Sequence, residues 1–404
     1  LDAPGETFYD RKTGRMYVWL PDGGDPTGRA IRFRGKSSVV LHADGKRHIR
    51  LQGLTILGGG IRMDGAGHCV IEDCVIRYAD HFQGNGYVSG SQTESMVVTG
   101  DDLVVRRCVF GPTAGNGILL GGNRVVFTDN YVQNSNYAGN DYAAVFVFRS
   151  TDLEISRNQF YNSARAHIFF AIGVRFERCV IEHNHFKDHA TLNSDAGAFY
   201  TWSCDGGGTE IRYNLVECGN RNDNGTMMKL REGLYVDNYS SNFSVHHNIV
   251  IGGGAGLQIN LPNPGTTYAH NTVIGAQHGI GFFSVPKDDA DGTGIRVANN
   301  LFADLKGQDI RYYGTGAGKA ESYAGSLQDG RIPVPQNPDR QIASSNNLRG
   351  EVDASFRPVA GSPALDGGVV VEGLTGEFAG SAPDIGALES GLPMFEYGPT
   401  WELP

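Results

Sequence analysis

Residues 195–214 read DAGAFYTWSCDGGGTEIRYN, and residues 232–248 read EGLYVDNYSSNFSVHHN. Each stretch gives a short apolar strand, a turn, and a second short strand ending in Asn. The same unit recurs outward in both directions, marked by a strand closed with one polar residue: VIEDCVI, VVRRCVF, VFTDNYV, EISRNQF, IEHNHF, IRYNLV, VHHNIV, YAHNTV and VANNLF. The marker positions are Cys74, Cys108, Asn130, Asn158, Asn184, Asn214, Asn248, Asn271 and Asn300. Their spacing averages about 28 residues, the length of one coil of a large β-solenoid. Equivalent positions in such coils stack about 4.8 Å apart, so the Asn side chains bond to one another inside a turn and satisfy their own amides. These Asn are architecture. A β-sandwich, the rival all-β arrangement, requires no Asn at the same point of every unit.

A second column of strands precedes the markers by 12–20 residues: GIRMD, SMVVT, GILLG, AVFVF, HIFFA, AFYTW, GLYVD, GLQIN and GIGFF. Period-two alternation predicts burial of Ile118, Val145, Ile168, Phe199, Leu234, Leu257 and Ile280. Leu119, Phe146, Phe169, Tyr200, Tyr235, Gln258 and Gly281 then point outward. So do Gly121, Phe148, Ala171, Trp202, Asp237, Asn260 and Phe283.

The bulk numbers agree with a strand-and-turn protein. Gly supplies 57 of 404 residues, and long Ala/Leu/Glu/Lys runs are missing. A formal charge of −10 without a compensating basic block speaks against nucleic acid or an anionic membrane as partner. No apolar run reaches membrane-spanning length. The six Cys form no CxxC pairs. Buried free thiols are the expectation, with a disulfide as the alternative.

Three regions are expected within one architecture. Residues 1–45 read as an N-terminal cap, with Phe8, Met16, Val18 and Leu20 alternating around a turn at Lys12–Gly14 to cover the first open strand edge. Residues 46–313 carry the coils. Residues 314–404 hold an excursion (314–345) and a segment packing back across the last coil to close the exit edge.

The Asn-marked coils resemble the right-handed parallel β-helix proteins, a group that includes many polysaccharide lyases and glycoside hydrolases. The tail, FRPVAGSPALDGG (356–368) followed by APDIGALES (382–390), is similar to the segment that often closes such proteins. The resemblance implies a carbohydrate-active enzyme acting on a polysaccharide, secreted or periplasmic, with no specific family assigned. KLREG at 229–233 resembles the LRHG strand of the alginate-lyase family, with Glu232 in place of His.

On the outward face, Phe146, Phe148, Phe169, Tyr200, Trp202 and Tyr235 form a strip of rings. Such a strip either stacks on the C–H faces of sugars or is covered by loops as a secondary core. Beside it lie Asp195, Asp205, Glu232 and Asp237, with Lys229, Arg231 and His189. Glycoside hydrolysis needs one protonated and one ionised carboxyl, about 5 Å apart for retention or 6.5–9.5 Å for inversion. Neighbouring coils supply such spacings, so Asp195 and Glu232 are the leading pair. Asp237, before Asn238, and Asp205, before three glycines, suit turns as well. The other chemistry is uronate elimination or epimerisation, with Lys229, Arg231, His189 and Tyr235 as base and cation. A non-catalytic glycan-binding β-helix is the third reading. No cofactor is expected. His183, His185 and His189 read as an outer strand face instead of a metal site. KDDADGTG (287–294) is Asp-rich but lacks the downstream Glu of a full calcium loop. The loops 77–95, 188–195 and 219–230 are expected to wall one side of a cleft beside Trp202.

Overall fold

A computed structural model describes residues 1–31, 39–79, 96–219, 231–284, 292–314 and 342–403. The chain divides into two units, Leu1–Ser37 and Ser38–Pro404. In the first, Thr7–Asp10 and Arg15–Val18 pair antiparallel as a hairpin, with Phe8 opposite Tyr17.

Among the described residues, the second unit forms three parallel sheets of eleven strands each. Sheet I runs from Val39–His42 to Ile310–Gly314, sheet II from Arg50–Gln52 to Ala343–Ser345, and sheet III from Thr55–Leu57 to Leu348–Arg349. Each coil gives one strand to each sheet. Phe199–Thr201, Asp205–Arg212 and Leu215–Glu217 make one coil; Leu234–Val236, Ser241–His246 and Ile249–Ile251 make the next. This is a right-handed parallel β-helix.

The alternation in sheet I follows from the strand period. Ile118, Val145, Ile168, Phe199, Leu234, Leu257 and Ile280 stand in one register and are fully buried. Leu119, Phe146, Phe169, Tyr200, Tyr235, Gln258 and Gly281 form the adjoining outward column, which Arg311 extends by one coil.

The corner between sheets II and III holds the Asn ladder. From Asn130 to Asn300, each Nδ2 donates to the next Oδ1 at 2.8–3.0 Å. Each of these Oδ1 atoms also accepts the backbone N–H of the preceding Asn. The residue before every rung is left-handed, from Asp129 (φ 56°) through Tyr213 (φ 51°) to Asn346 (φ 50°). That conformation costs a non-glycine residue about 1–2 kcal/mol, and the bonds of each buried rung offset it. The ladder ends on Asn347, one rung beyond the sequence expectation. At its start Cys108 donates its backbone N–H to Asn130 Oδ1 at 3.0 Å. All six Cys are free and buried, the first of the two sequence readings.

The C-terminal segment does more than close the last coil. Ala364 and Ile385 pack on Leu301 and Leu348 at that end, while Ala387 and Leu388 cover Leu215 and Ile249. Gly398 N–H then donates to His183 O at 2.8 Å, and Trp401 Nε1 to Asp129 O at 2.7 Å. The tail therefore returns along the helix to the coil of Tyr131, whose hydroxyl donates to Trp401 O. The expected excursion at 314–345 falls largely on residues 315–341, outside the described residues.

Candidate active site

The outer face of sheet I is built coil by coil. Arg165 precedes the strand Ala166–Phe170, Asp195 and Ala196 precede Phe199–Thr201, and Arg231 and Glu232 precede Leu234–Val236. Tyr200 and Tyr235 are strand partners, followed by Gln258. Asp237 follows Tyr235 by two residues and so shares its face.

The rings do not form an open platform, which corrects the first of the two readings for three of them. Phe169, Tyr200 and Tyr235 are buried, each set edge-on to the next with centroids 4.9 and 5.1 Å apart. Phe146 joins the Phe169 end at 5.3 Å. Phe146 and Trp202 remain partly accessible against this cluster, and Phe148 is 48% exposed. Stacked aromatic side chains on consecutive coils gain from edge-to-face contact, so the column serves as a small second core under the polar groups.

Those groups are tightly linked. Tyr200 OH donates to Asp237 Oδ2 at 2.8 Å, and Tyr235 OH donates to Asp195 Oδ1 at 3.2 Å. Asn260 Nδ2 donates to Tyr235 OH (2.7 Å) and to Asp237 Oδ1 (2.5 Å), and Gln258 Nε2 donates to Asn260 Oδ1 at 2.7 Å. Arg165 lies over the Tyr200 ring, its guanidinium carbon 4.5 Å from the centroid. Its Nη2 donates to Asp195 O at 3.2 Å, and its Nε pairs with Asp141 Oδ1 at 3.3 Å.

Burial sets the carboxyl chemistry. Glu232 is only 2% exposed, and its Oε2 accepts the backbone N–H of Ala255. Burial pushes its carboxyl up to about 8; the Ala255 N–H opposes this, the charge of Asp195 adds a smaller push upward, and Arg311 a still smaller pull downward. Asp237 is also raised by burial, although Asn238 N–H, Tyr200 and Asn260 all donate to it. Asp195 itself is exposed and left-handed (φ 60°). One buried, readily protonated carboxyl thus stands near an exposed one on the preceding coil.

Other candidates have other work. Asp205 accepts from Gly207 N–H at 3.0 Å and Asn242 Nδ2 at 2.8 Å, a turn role in a sheet II strand. Arg231 donates to Gly219 O and Ala190 O, holding two chain segments together. His189 donates from Nε2 to Glu232 O at 2.6 Å, and burial pushes its imidazole down to about 3, so it stays neutral. Lys229 and the Asp-rich residues 287–291 lie outside the described residues. Of the three expected loop walls, 80–95 and 220–230 also lie outside them; in the third, Asn193 Nδ2 donates to Gly139 O at 2.6 Å. His183 and His185 contact the tail and Glu217, and among the described residues no group of three or more His, Cys, Asp or Glu is placed to hold a metal ion.

Sequence reasoning named no role for Arg165, Gln258, Asn260 or Asp141. Arg165 stands three residues before an inward Ile, the same register as Arg231 before Leu234, and that spacing was the available signal.

Residues 39–225 match the family model described as "Right handed beta helix region". Solved structures with similarity include the pectate lyase Pel9A (14% identity, TM-score 0.40, covering 85% of this chain and 96% of that one). They also include a PL6 family polysaccharide lyase from Pseudopedobacter saltans (13% identity, TM-score 0.35, 91% and 97%). A third is the catalytic unit of a GH87 α-1,3-glucanase from Streptomyces thermodiastaticus (8% identity, TM-score 0.26, 80% and 66%). No curated protein matches the chain. The family model and the three stacked sheets agree on the fold, a right-handed parallel β-helix.

Proposed function

We propose that this chain is a carbohydrate-active enzyme, secreted or periplasmic, that hydrolyses a glycosidic bond of a polysaccharide lying across sheet I. Glu232 acts as general acid, and Asp195 is the opposing carboxylate. The observation carrying this reading is the pairing of a buried carboxyl held up to about 8 with an exposed carboxyl on the preceding coil. At neutral pH Glu232 keeps its proton and can give it to the departing glycosidic oxygen. The negative charge of Asp195 supports the positive charge that develops at the sugar's anomeric carbon. Asp237, held by three donors, fixes Tyr200 and Asn260. Trp202 and Phe148 offer ring surface to flanking sugars. No cofactor is invoked.

Uronate elimination has less to draw on, because Arg231 is engaged with backbone carbonyls and His189 is fully buried, with its basicity pushed down to about 3 by that burial. The test is incubation with a polysaccharide panel, reading both new reducing ends and ultraviolet absorbance of unsaturated ends. Reducing ends without absorbance are expected. Absorbing products would replace hydrolysis with elimination, and binding without products would replace it with a glycan-binding role.

A further inference from the structure

Asp195 is the exposed member of the carboxyl pair, and the coils on either side of it hold it in place. Its backbone is left-handed (φ 60°). From the preceding coil Arg165 Nη2 donates to its carbonyl oxygen at 3.2 Å, and from the following coil Tyr235 OH donates to its Oδ1 at 3.2 Å.

The direction of the Tyr235 bond is decided one coil further on, at Asn260. Its Nδ2 lies 2.5 Å from Asp237 Oδ1 and 2.7 Å from the Tyr235 hydroxyl oxygen, while its Oδ1 accepts from Gln258 Nε2 at 2.7 Å. Asp237 also accepts from Asn238 N–H and Tyr200 OH, so donors reach both of its oxygens. An ionised carboxyl only accepts, and Asn260 must therefore turn its nitrogen to it. That nitrogen has two hydrogens: one goes to Asp237 and the other to Tyr235. A phenol has a single proton. With the Tyr235 oxygen already accepting from Asn260, that proton points to Asp195. Turned the other way, the Asn260 amide would present its oxygen to Tyr235 and draw the proton off Asp195.

Gln258, Asn260, Asp237 and Tyr235 are all buried. The Tyr235 ring is also packed edge-on against Tyr200, with centroids 5.1 Å apart, so its hydroxyl is carried at a fixed point. The exposed Asp195 side chain has no such packing of its own.

Resting on the reading of Asp195 as the opposing carboxylate, we propose that Tyr235 and Asn260 are positioning residues for it. Asn260 fixes the direction of the Tyr235 O–H, and that O–H holds Asp195 Oδ1, which leaves Oδ2 to face the sugar.

The test is a pair of kinetic cycles on whichever panel polysaccharide releases reducing ends, with the melting temperature of each variant recorded. Misplacing a reacting group by about 1 Å costs up to ~10²-fold in rate. Tyr235→Phe, which keeps the stacked ring, should lower kcat about 10-fold and leave KM within roughly twofold. Asn260→Leu should do about the same, and the double variant should fall no further than Tyr235→Phe alone, because both act along one path. In an Asp195→Asn background, Tyr235→Phe should change kcat less than about twofold. Effects that multiply in either cycle, or full kcat in Tyr235→Phe while Asp195→Asn is inactive, overturn the proposal and leave hydrolysis standing. Full activity in Asp195→Asn instead removes the hydrolase reading beneath it. Crystal structures give a readout that needs no substrate. In Asn260→Leu the Tyr235 hydroxyl should leave Asp195 Oδ1, and a bond that persists there overturns the role of Asn260. If Asn260→Leu fails to fold, the cycle between Tyr235→Phe and Asp195→Asn decides.

Discussion

Two columns of polar side chains run along this helix, and they differ in one respect that matters. In the Asn ladder the same residue repeats on every coil, and each amide both donates to one neighbour and accepts from the other. On sheet I the residue changes at each coil, from Phe169 to Tyr200, Tyr235, Gln258 and Gly281. There the bonds end on Asp195, on Asp237, which burial raises, and on two unmet atoms, Gln258 Oε1 and Arg165 Nη1. Repetition lets a buried column satisfy itself. Variation leaves chemistry over for a ligand.

The largest break in that contrast comes from Glu232→Gln. Losing a general acid costs roughly 10²–10⁴-fold in rate, so turnover on the panel's substrate should fall at least ~10²-fold. Asp195→Asn should match it. Lys229→Ala should cost much less, because hydrolysis needs no proton-abstracting amine. Full activity in both carboxyl variants with loss in Lys229→Ala would move the assignment to elimination. In the wild type, activity should decline as pH rises through about 8, where Glu232 loses its proton.

The same substitution has a stability signature of opposite sign. Glu232 is raised from 4.5 to about 8 in the folded chain. Between those values the folded state holds a proton that the unfolded state has released, so stability drops as pH rises through that window. Glu232→Gln removes the penalty. Its denaturation midpoint should therefore gain on the wild type from about pH 4.5 upward and level off above about 8. A constant difference across that range would mean Glu232 is not raised.

The ladder should respond in stability alone. Asn214→Leu removes the Oδ1 that accepts from the Asn184 backbone N–H and Nδ2, and leaves Asn248 Oδ1 without its side-chain donor. The expected loss is about 1–3 kcal/mol in urea titration. A neutral result would mean that the rungs are not held by these bonds.

These contrasts also explain what the sequence could and could not disclose. The ladder and the register of sheet I were legible because both follow from strict spacing: a marker every coil and a side-chain period of two. Asp195, Glu232 and Asp237 were legible as a group for the same reason. The cover over Phe169 and Tyr200 was not, because alternation fixes a side chain's direction and not what lies above it. Arg231 and His189 read as candidate catalytic groups until the fold brought Ala190 O, Gly219 O and Glu232 O to them. Asn347 was missed because the long insertion before it breaks the period, although SSNNLR (344–349) repeats the pattern of VANNLF.

Trp202→Ala should give a smaller effect than either carboxyl change. The ring is partly accessible at the edge of the aromatic column, and stacking of this kind contributes about 0.5–1.5 kcal/mol. KM should rise roughly 3- to 10-fold with kcat nearly kept, the pattern of lost ground-state and transition-state binding together. A fall in kcat alone would place Trp202 in the chemistry instead.

The smallest effect is expected at Asp205, and it separates the two kinds of acid on this protein. Asp205 was a catalytic candidate on its closeness in sequence to Asp195 and Trp202. In space it fixes a turn: its Oδ1 takes the Gly207 N–H and the Asn242 amide, and Arg175 stands 3.8 Å from Oδ2. These bonds lie at a partly exposed corner of sheet II, where water replaces much of a lost hydrogen bond and the net loss is about 0.5–1.5 kcal/mol. Asp205→Ala should therefore lower stability by about 1 kcal/mol and leave kcat and KM within roughly twofold, since no group near Glu232 depends on it. The same measurement on Asp195→Asn should show the reverse, activity lost and stability nearly kept. If Asp205→Ala abolishes turnover in a chain that still melts like the wild type, the reacting groups lie on the sheet II side, and the site on sheet I is misassigned.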